Sequence, residues 1–267
     1  MNFTVSQTEN QKPVVLAIGG LDPSGGAGIA LDARAIQMTG CHPATVATLL
    51  TNQTGKQFVD ATPVPGDAVE ATCRLLLEDL HVRAIKVGAI GTLDTMRAVE
   101  RVARSTEIST VLDPVFESTT GGRLLDPKAI EYLKFNFDKH NLIVTPNRRE
   151  AEILSDIPLE TEADMAVAAK RILAMGFKAV LIKGGHLPGT RCIDFLCDHN
   201  GSIAFGSPRL GESEVRGTGC ALASFIAGGL AHGHPLSRAV SMARNMIRFA
   251  IKLKTQIGRG IYVLDLT

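Results

Sequence analysis

Short apolar runs alternate with longer segments of helical periodicity along this chain, and this alternation constrains the fold more than any other feature. The runs span residues 14–18, 44–50, 84–88, 110–115, 142–145 and 179–183. Helical patterns lie between several of them, at 67–80, 93–103 and 162–175. Because several runs are apolar without alternation, they are typical of parallel strands covered on both faces. We therefore predict an α/β fold with a central, mostly parallel sheet flanked by helices.

The C-terminal third carries a different pattern. Runs at 194–198 and 202–205 flank His199-Asn200-Gly201, which predicts a hairpin that adds an antiparallel edge to the sheet. A long helical tail is predicted from Cys220 to Lys254. Both features favour an open doubly wound sheet, although a (β/α)₈ barrel is an alternative at this length. We predict one domain over residues 13–267, with residues 1–12 as a flexible N-terminus.

Composition excludes several functional classes. The 28 Lys+Arg and 27 Asp+Glu nearly cancel, and only 4% of the residues are aromatic, so a broad nucleic-acid-binding surface is not expected. No apolar stretch is long enough to span a membrane. The five cysteines are scattered, without a CxxC pair or zinc spacing, which indicates free thiols in a cytoplasmic protein. Neither nucleic acid nor a membrane is therefore an expected partner.

Many of the 26 glycines cluster where predicted strands end, which is where open α/β sheets bind ligands. The first cluster is Gly19-Gly-Leu-Asp-Pro-Ser-Gly-Gly-Ala-Gly28. It matches neither a P-loop nor a GxGxxG fingerprint. A flexible turn is one interpretation, but five glycines with Asp22 and Ser24 favour a loop whose backbone approaches a ligand.

The second cluster is Arg216-Gly217-Thr218-Gly219-Cys220, at the start of a predicted helix. Backbone N–H groups at a helix N-terminus form an anion site suited to a transferring phosphoryl group. Cys220 would lie in the first helical turn, where the pKa of a thiol is expected to be lowered, and would then accept a proton from a substrate hydroxyl. The alternative is that Cys220 is a small buried filler.

Polar residues follow three further strands. Asn147 and Glu150 in TPNRRE have capping-box spacing, and their oxygens also suit Mg²⁺; both interpretations are compatible. Lys183 in KGGH either neutralises phosphate or simply reaches solvent, and His186 is expected to be structural rather than a ligand. Asp113 in VLDPV is either a Mg²⁺-water partner or a turn former.

The order of these motifs carries a resemblance. GG-x-DPSGGAGI-x-x-D, VLDPV, TPN-x-x-E, IKGGH and GTGC, between residues 14 and 261, resemble the hydroxymethylpyrimidine/phosphomethylpyrimidine kinases of thiamine biosynthesis. That family belongs to the ribokinase-like superfamily. The resemblance implies ATP and Mg²⁺ as cofactors, a pyrimidine alcohol or its monophosphate as acceptor, and a homodimer.

The resemblance also implies roles for individual residues. Gly20, Asp22 and Gln53 would line the pyrimidine pocket, with Gln53 bonded to the aminopyrimidine edge. The other implied assignments are an apolar wall (Ala27, Ala89, Val115), nucleotide-phosphate and metal residues (Asn147, Glu150), a cation at the ATP phosphates (Lys183), an anion hole (Gly217, Thr218, Gly219) and a catalytic base (Cys220).

Three positions depart from the family pattern. Ala89 stands where relatives often have Met, Thr119 lies in a loop where they often have KSG, and Arg216 stands where His commonly precedes GTGC. Arg216 is expected to bind nucleotide or acceptor phosphate, which favours the monophosphate step; neutral drift is the other explanation. Pyridoxal kinase, which acts on a similar heteroaromatic alcohol, and a catalytically silent vitamin-binding relative are the alternative functions.

Overall fold

A computed structural model describes residues 11–186, 189–210, 214–259 and 261–266. Its main feature is a nine-stranded sheet. In spatial order the strands are β3 (Phe58–Pro63), β2 (His42–Gln53), β1 (Val14–Leu21), β4 (Val82–Val87), β5 (Thr110–Leu112), β6 (Leu142–Val144), β7 (Ala179–Ile182), β8 (Arg191–Asp198) and β9 (Gly201–Pro208). Strands β2, β1 and β4–β7 run parallel, whereas β3, β8 and β9 pair antiparallel. The predicted sheet and edge hairpin are confirmed, and the barrel alternative is wrong.

Helices cover both faces of the sheet. They are α1 (Gly28–Met38), α2 (Gly66–Asp79), α3 (Leu93–Arg104), α4 (Pro127–Phe135), α5 (Arg148–Ser155), α6 (Glu162–Leu173), α7 (Thr218–Ala231) and α8 (Leu236–Lys252), with a 3₁₀ turn at Gly184–His186. One apolar core joins α2–α6 to one face, and a second joins α1, α7 and α8 to the other. Helix α7 is buried along most of its length, and its sequence is therefore apolar almost throughout. Helix α8 is apolar only on the face that packs against α7.

One sequence prediction needs correction and another needs restriction. The single helical tail is wrong, because Gly233 in the left-handed region and Pro235 divide it into α7 and α8. The sequence also did not reveal β3 or a small second sheet of β10 (Val215–Arg216), β11 (Thr255–Ile257) and β12 (Ile261–Val263). Residues 1–10 of the predicted flexible N-terminus lie outside the described residues. Within the described chain, we find no helix with the length and apolarity needed to cross a bilayer.

The parallel strands end at one edge of the sheet, and backbone hydrogen bonds continue just beyond them. Gly88 N donates to Ile18 O at 2.8 Å, Asp113 N to Val87 O at 2.8 Å, and Lys183 N to Pro146 O at 2.9 Å. These bonds fix the first residues after each strand relative to the neighbouring strand. Motifs from distant parts of the sequence are thereby held along one rim.

Candidate active site

The two glycine-rich segments touch each other at this rim. Gly217, the N-cap of α7, has φ +86°, and a β-carbon there would overlap the Gly26 carbonyl oxygen and the Leu31 side chain. Only glycine fits this position, because its φ is left-handed and the space is filled. The first loop is itself ordered by Asp22, whose Oδ1 accepts hydrogen bonds from Ser24 N at 2.9 Å and Ser24 Oγ at 2.8 Å. The two glycine-rich segments are therefore packed against each other.

The N-terminus of α7 is open for an anion. None of the described side chains caps it, so the first N–H groups of the helix, over Thr218, Gly219 and Cys220, have no side-chain partner among the residues that the structure describes. A helix of 14 residues also places partial positive charge at this end. The predicted anion hole is compatible with this geometry.

A cation and a carboxylate lie directly beside that helix end. Lys183 Nζ donates to Asp113 Oδ1 at 2.6 Å. A β-carbon at Gly219 would lie 3.1 Å from Lys183 Nζ and 3.8 Å from Asp113 Oδ2. The Lys183 side chain is 12% exposed, so it does not simply reach solvent. The structure thus brings Lys183, Asp113 and the glycines of α7 together.

Asn147 and Glu150 form the predicted capping box of α5. Asn147 Oδ1 accepts from Glu150 N at 3.0 Å, and Glu150 Oε2 accepts from Asn147 N at 2.7 Å. Burial raises the pKa of the Glu150 carboxyl to about 8; Lys183 lowers this pKa and Asp113 raises it. The cap interpretation is confirmed.

Metal binding depends on what these carboxylates can supply. Among the described residues, no three His, Cys, Asp or Glu side chains form a complete set of metal ligands. Asp113 and Glu150 nevertheless interact electrostatically. One or two carboxylates, completed by water and substrate phosphate, are the donors that Mg²⁺ uses at phosphoryl-transfer sites, so the residues fit this ion.

Arg216 directly precedes Gly217 and contacts residues of the first glycine-rich segment and of β2. The residue is 5% exposed, and its Nη2 donates to Asp22 Oδ2 at 2.9 Å and to Gln53 Oε1 at 2.8 Å. That Arg216 binds nucleotide stays a prediction; its charged group contacts two residues that the resemblance assigns to the acceptor. The sequence could not show this, since the direction of a side chain in a two-residue strand has no periodic signal.

The remaining acceptor residues lie around the ends of β1 and β4. A β-carbon at Gly20 would lie 3.1 Å from Leu49 Cδ1 and 3.5 Å from Ala89 Cβ. Leu49 therefore packs against Gly20, a contact for which the sequence carried no signal. Thr48 Oγ1 donates to the Ala89 carbonyl oxygen at 2.5 Å, which fixes Ala89. Ala27 and Val115 are partly exposed in loops at the same rim.

The environment of Cys220 differs from the expectation. Withdrawal from water raises the pKa of its thiol to about 12; Lys86 lowers this pKa, while Asp113 and Asp32 raise it. The predicted low pKa from the helix start is wrong for the protein without bound substrates. A helix terminus shifts a pKa modestly, whereas burial shifts it by several units.

A buried ionic network of Lys86, Asp32 and Ser224 lies near Cys220, and the sequence did not predict it. Lys86 Nζ donates to Asp32 Oδ2 at 2.6 Å, and Ser224 Oγ donates to Asp32 Oδ1 at 2.9 Å; all three residues are fully buried. Burial alone would lower the pKa of Lys86, but the Asp32 carboxylate raises it above the ordinary lysine value. The sequence signals are a lysine inside the apolar run at 84–88 and the aspartate that ends the first motif, but nothing in the sequence pairs them.

We expect Cys220 to resist alkylation. Because its pKa is raised to about 12, almost no thiolate exists at pH 8, and iodoacetamide should modify it at least ~10-fold more slowly than a cysteine peptide of ordinary pKa. Peptide mapping by mass spectrometry measures this rate, with Cys220→Ala identifying the adduct. Modification as fast as that of the peptide would contradict the raised pKa.

Comparisons with known proteins agree with this geometry. A family model described as phosphomethylpyrimidine kinase matches residues 22–265. A hydroxymethylpyrimidine/phosphomethylpyrimidine kinase of Aquifex aeolicus is 34% identical over 253 residues, covering 94% of this chain and 99% of the relative. The crystal structure of phosphomethylpyrimidine kinase from Clostridium difficile is 31% identical, with TM-score 0.79 and coverage of 90% and 100% of the two chains. Pyridoxal kinase from Staphylococcus aureus in complex with AMP-PCP and pyridoxal is 27% identical, with TM-score 0.87 and coverage of 96% and 94%.

Proposed function

Because the chain belongs to the phosphomethylpyrimidine kinase family, we propose that it transfers the γ-phosphoryl group of ATP, with Mg²⁺, to 4-amino-5-hydroxymethyl-2-methylpyrimidine, to its monophosphate, or to both. Transfer to the alcohol gives the monophosphate and ADP, and transfer to the monophosphate gives the pyrimidine diphosphate used in thiamine synthesis and ADP. The observation that carries this proposal is the uncapped N-terminus of α7, which has Lys183 on one side and the Asp22 loop on the other.

The acceptor binds between the two glycine loops and the ends of β1, β2 and β4. Gln53 and Asp22 provide polar contacts to the ring, and Gly20, which packs closely against Leu49 and Ala89, provides a backbone surface without a side chain. The reactive hydroxyl or phosphate then points to the N-terminus of α7. Scarce aromatic residues agree with a ring held by hydrogen bonds and aliphatic walls rather than by stacking.

The nucleotide phosphates bind on the side of Lys183. This cation is held by Asp113 at 2.6 Å and is poised to shift to phosphate oxygens, which compete for the same donors. Asp113 and Glu150 would hold Mg²⁺, in part through water, and the ion would neutralise charge on the transferred group. Asn147 fixes Glu150 through the capping box.

Catalysis rests on position and charge. Backbone N–H groups of Gly217, Thr218 and Gly219 stabilise negative charge on the transferring group, and Lys183 adds a full positive charge. Cys220 accepts the proton of an alcohol acceptor. Only the thiolate can accept a proton, so Cys220, whose pKa is raised to about 12 in the free protein, must first release its own proton to solvent; the Lys86 ammonium and the α7 N-terminus favour that thiolate.

Replacing Cys220 with alanine should separate the two acceptors. The alcohol must lose a proton, so its turnover should fall by about 100- to 10,000-fold, the usual contribution of a general base. The monophosphate is already ionised near neutral pH and should lose less than ~10-fold. Steady-state rates on both acceptors measure this, and equal losses would contradict the role of Cys220 as a base.

Pyridoxal phosphorylation is the second candidate function, favoured by the Staphylococcus aureus structure. Curated relatives support the pyrimidine more directly. The function is tested by incubating the protein with ATP, Mg²⁺ and each acceptor and identifying products by mass. Absence of any acceptor-dependent ATP consumption would overturn it and favour a silent binding protein. A single-domain, cytoplasmic homodimer stays a prediction.

A further inference from the structure

Arg216 links the elements that form the acceptor pocket. It lies on β10, yet its single Nη2 atom bonds both the Asp22 carboxylate after β1 and the Gln53 amide at the end of β2. Asp22 is anchored independently, because its other oxygen accepts from Ser24. The fixed Asp22 carboxylate therefore holds the guanidinium, and the guanidinium in turn holds the Gln53 amide.

This contact decides which way the Gln53 amide faces. The oxygen and nitrogen of a glutamine amide have nearly the same shape, so packing alone does not orient them. Arginine carries only hydrogen-bond donors. Gln53 must therefore turn Oε1 toward Arg216, since the reversed amide would set N–H groups against N–H groups. Its Nε2 forms no hydrogen bond to any residue that the structure describes, which leaves this donor for a ligand.

The unfilled donors of Arg216 argue against a purely structural role. Nε and Nη1 are buried and have no hydrogen-bond partner among the described residues. Buried donors without partners destabilise a folded protein, so such atoms in native structures are uncommon and tend to mark functional sites. The side chain is 4% exposed, and a β-carbon at Gly26 of the ligand loop would lie 3.5 Å from Nε.

We propose that Arg216 is a positioning residue that sets acceptor specificity by fixing the Gln53 amide. The proposal rests on the proposed function. With Oε1 and Nε2 fixed, the amide presents one acceptor and one donor side by side. A ring with an amino group next to a ring nitrogen offers the complementary pair. The pyridoxal ring has no such edge, because a methyl-bearing carbon separates its nitrogen from its hydroxyl.

A site built to pair with a ligand edge rejects rings that lack it, because its own polar groups are then left without partners. Arg216 therefore acts through Gln53 on discrimination between heteroaromatic alcohols and does not take part in the transfer. Lysine at this position keeps the charge beside Asp22, but its flexible ammonium lacks the planar fork that holds two oxygens at once.

The test is a mutant cycle of Arg216→Lys and Gln53→Met on two acceptors, 4-amino-5-hydroxymethyl-2-methylpyrimidine and pyridoxal. Each single variant should lower kcat/KM for the pyrimidine by about 10- to 100-fold, mainly through KM, and change that for pyridoxal by less than ~3-fold. The double variant should be no more than ~3-fold worse than Gln53→Met alone, because both changes remove one interaction. The KM for ATP should not move.

Equal losses on both acceptors, or losses that multiply in the double variant, would overturn the proposal. Gln53→Met leaves the Arg216–Asp22 ion pair intact, so it supplies a readout even where Arg216→Lys unfolds. If the unaltered protein phosphorylates neither acceptor, the proposed function fails. Calorimetric binding of the pyrimidine alcohol then decides the inference separately: binding weakened by ~10-fold in Arg216→Lys supports it, and unchanged binding overturns it.

Discussion

Replacing Gly217 with alanine is expected to reduce turnover by at least ~100-fold, the cost of losing one backbone donor to a transferring group. The added methyl group would overlap the Gly26 carbonyl oxygen and the Leu31 side chain. Gly217 is also the N-cap of α7 at φ +86°. The helix start and the Asp22 loop must therefore separate, which displaces the N–H groups of the anion hole. The free energy of unfolding should fall by about 2–5 kcal/mol from overlap and left-handed strain together.

Gly233 provides a matched control. It has φ +79° in the turn between α7 and α8, and a β-carbon there would have nothing within 4 Å. Gly233→Ala should cost only about 1–2 kcal/mol of stability from the left-handed backbone. Its turnover should be unchanged when measured below the melting temperature. If Gly217→Ala kept normal turnover, or if Gly233→Ala lost as much, contact between the glycine loops would not be what holds the anion hole.

Replacing Lys183 with methionine is expected to lower kcat by about 100- to 1,000-fold, because a full charge is lost beside the transferring group. Its Nζ lies 2.6 Å from Asp113, whose side chain is 3% exposed. Removal of the cation leaves this carboxylate unpaired, so the unfolding free energy should also fall by about 3–5 kcal/mol. Rates must therefore be measured at a temperature where circular dichroism shows the variant folded.

Lys178→Met is the control for Lys183→Met. Lys178 precedes β7 and is exposed, and its side chain bonds only the Ser109 hydroxyl, at 3.3 Å, among the described residues. We expect its kcat and melting temperature to stay close to those of the unaltered protein. A Lys183→Met variant that is folded and fully active would show that nucleotide phosphates bind elsewhere.

The sequence predicted those parts of the molecule that follow from local pattern. Continuous apolar runs marked the buried strands, His199-Asn200-Gly201 marked the edge hairpin, and the spacing of Asn147 and Glu150 marked the cap of α5. The break between α7 and α8 was readable as well, because a glycine and a proline stand there, although one continuous helix was predicted. Strand-end motifs converged as expected for parallel strands.

Features that depend on distant contacts were not predictable. Lys86 and Asp32 are 54 residues apart and meet only after folding, so their pairing has no spacing signal. The direction of Arg216 depends on a small sheet whose three strands have two or three residues each. The pKa of Cys220 depends on burial by residues that only the fold brings together, and this burial outweighs the local effect of a helix start.

The acceptor preference of the protein is tested most directly by a competition assay with both acceptors present. The protein receives ATP and Mg²⁺ with equal concentrations of 4-amino-5-hydroxymethyl-2-methylpyrimidine and pyridoxal, and phosphorylated products are quantified by mass over time. We expect pyrimidine monophosphate or diphosphate to form at least ~10-fold faster than pyridoxal phosphate, because only the pyrimidine edge pairs with Gln53. Pyridoxal phosphate as the main product would contradict this expectation.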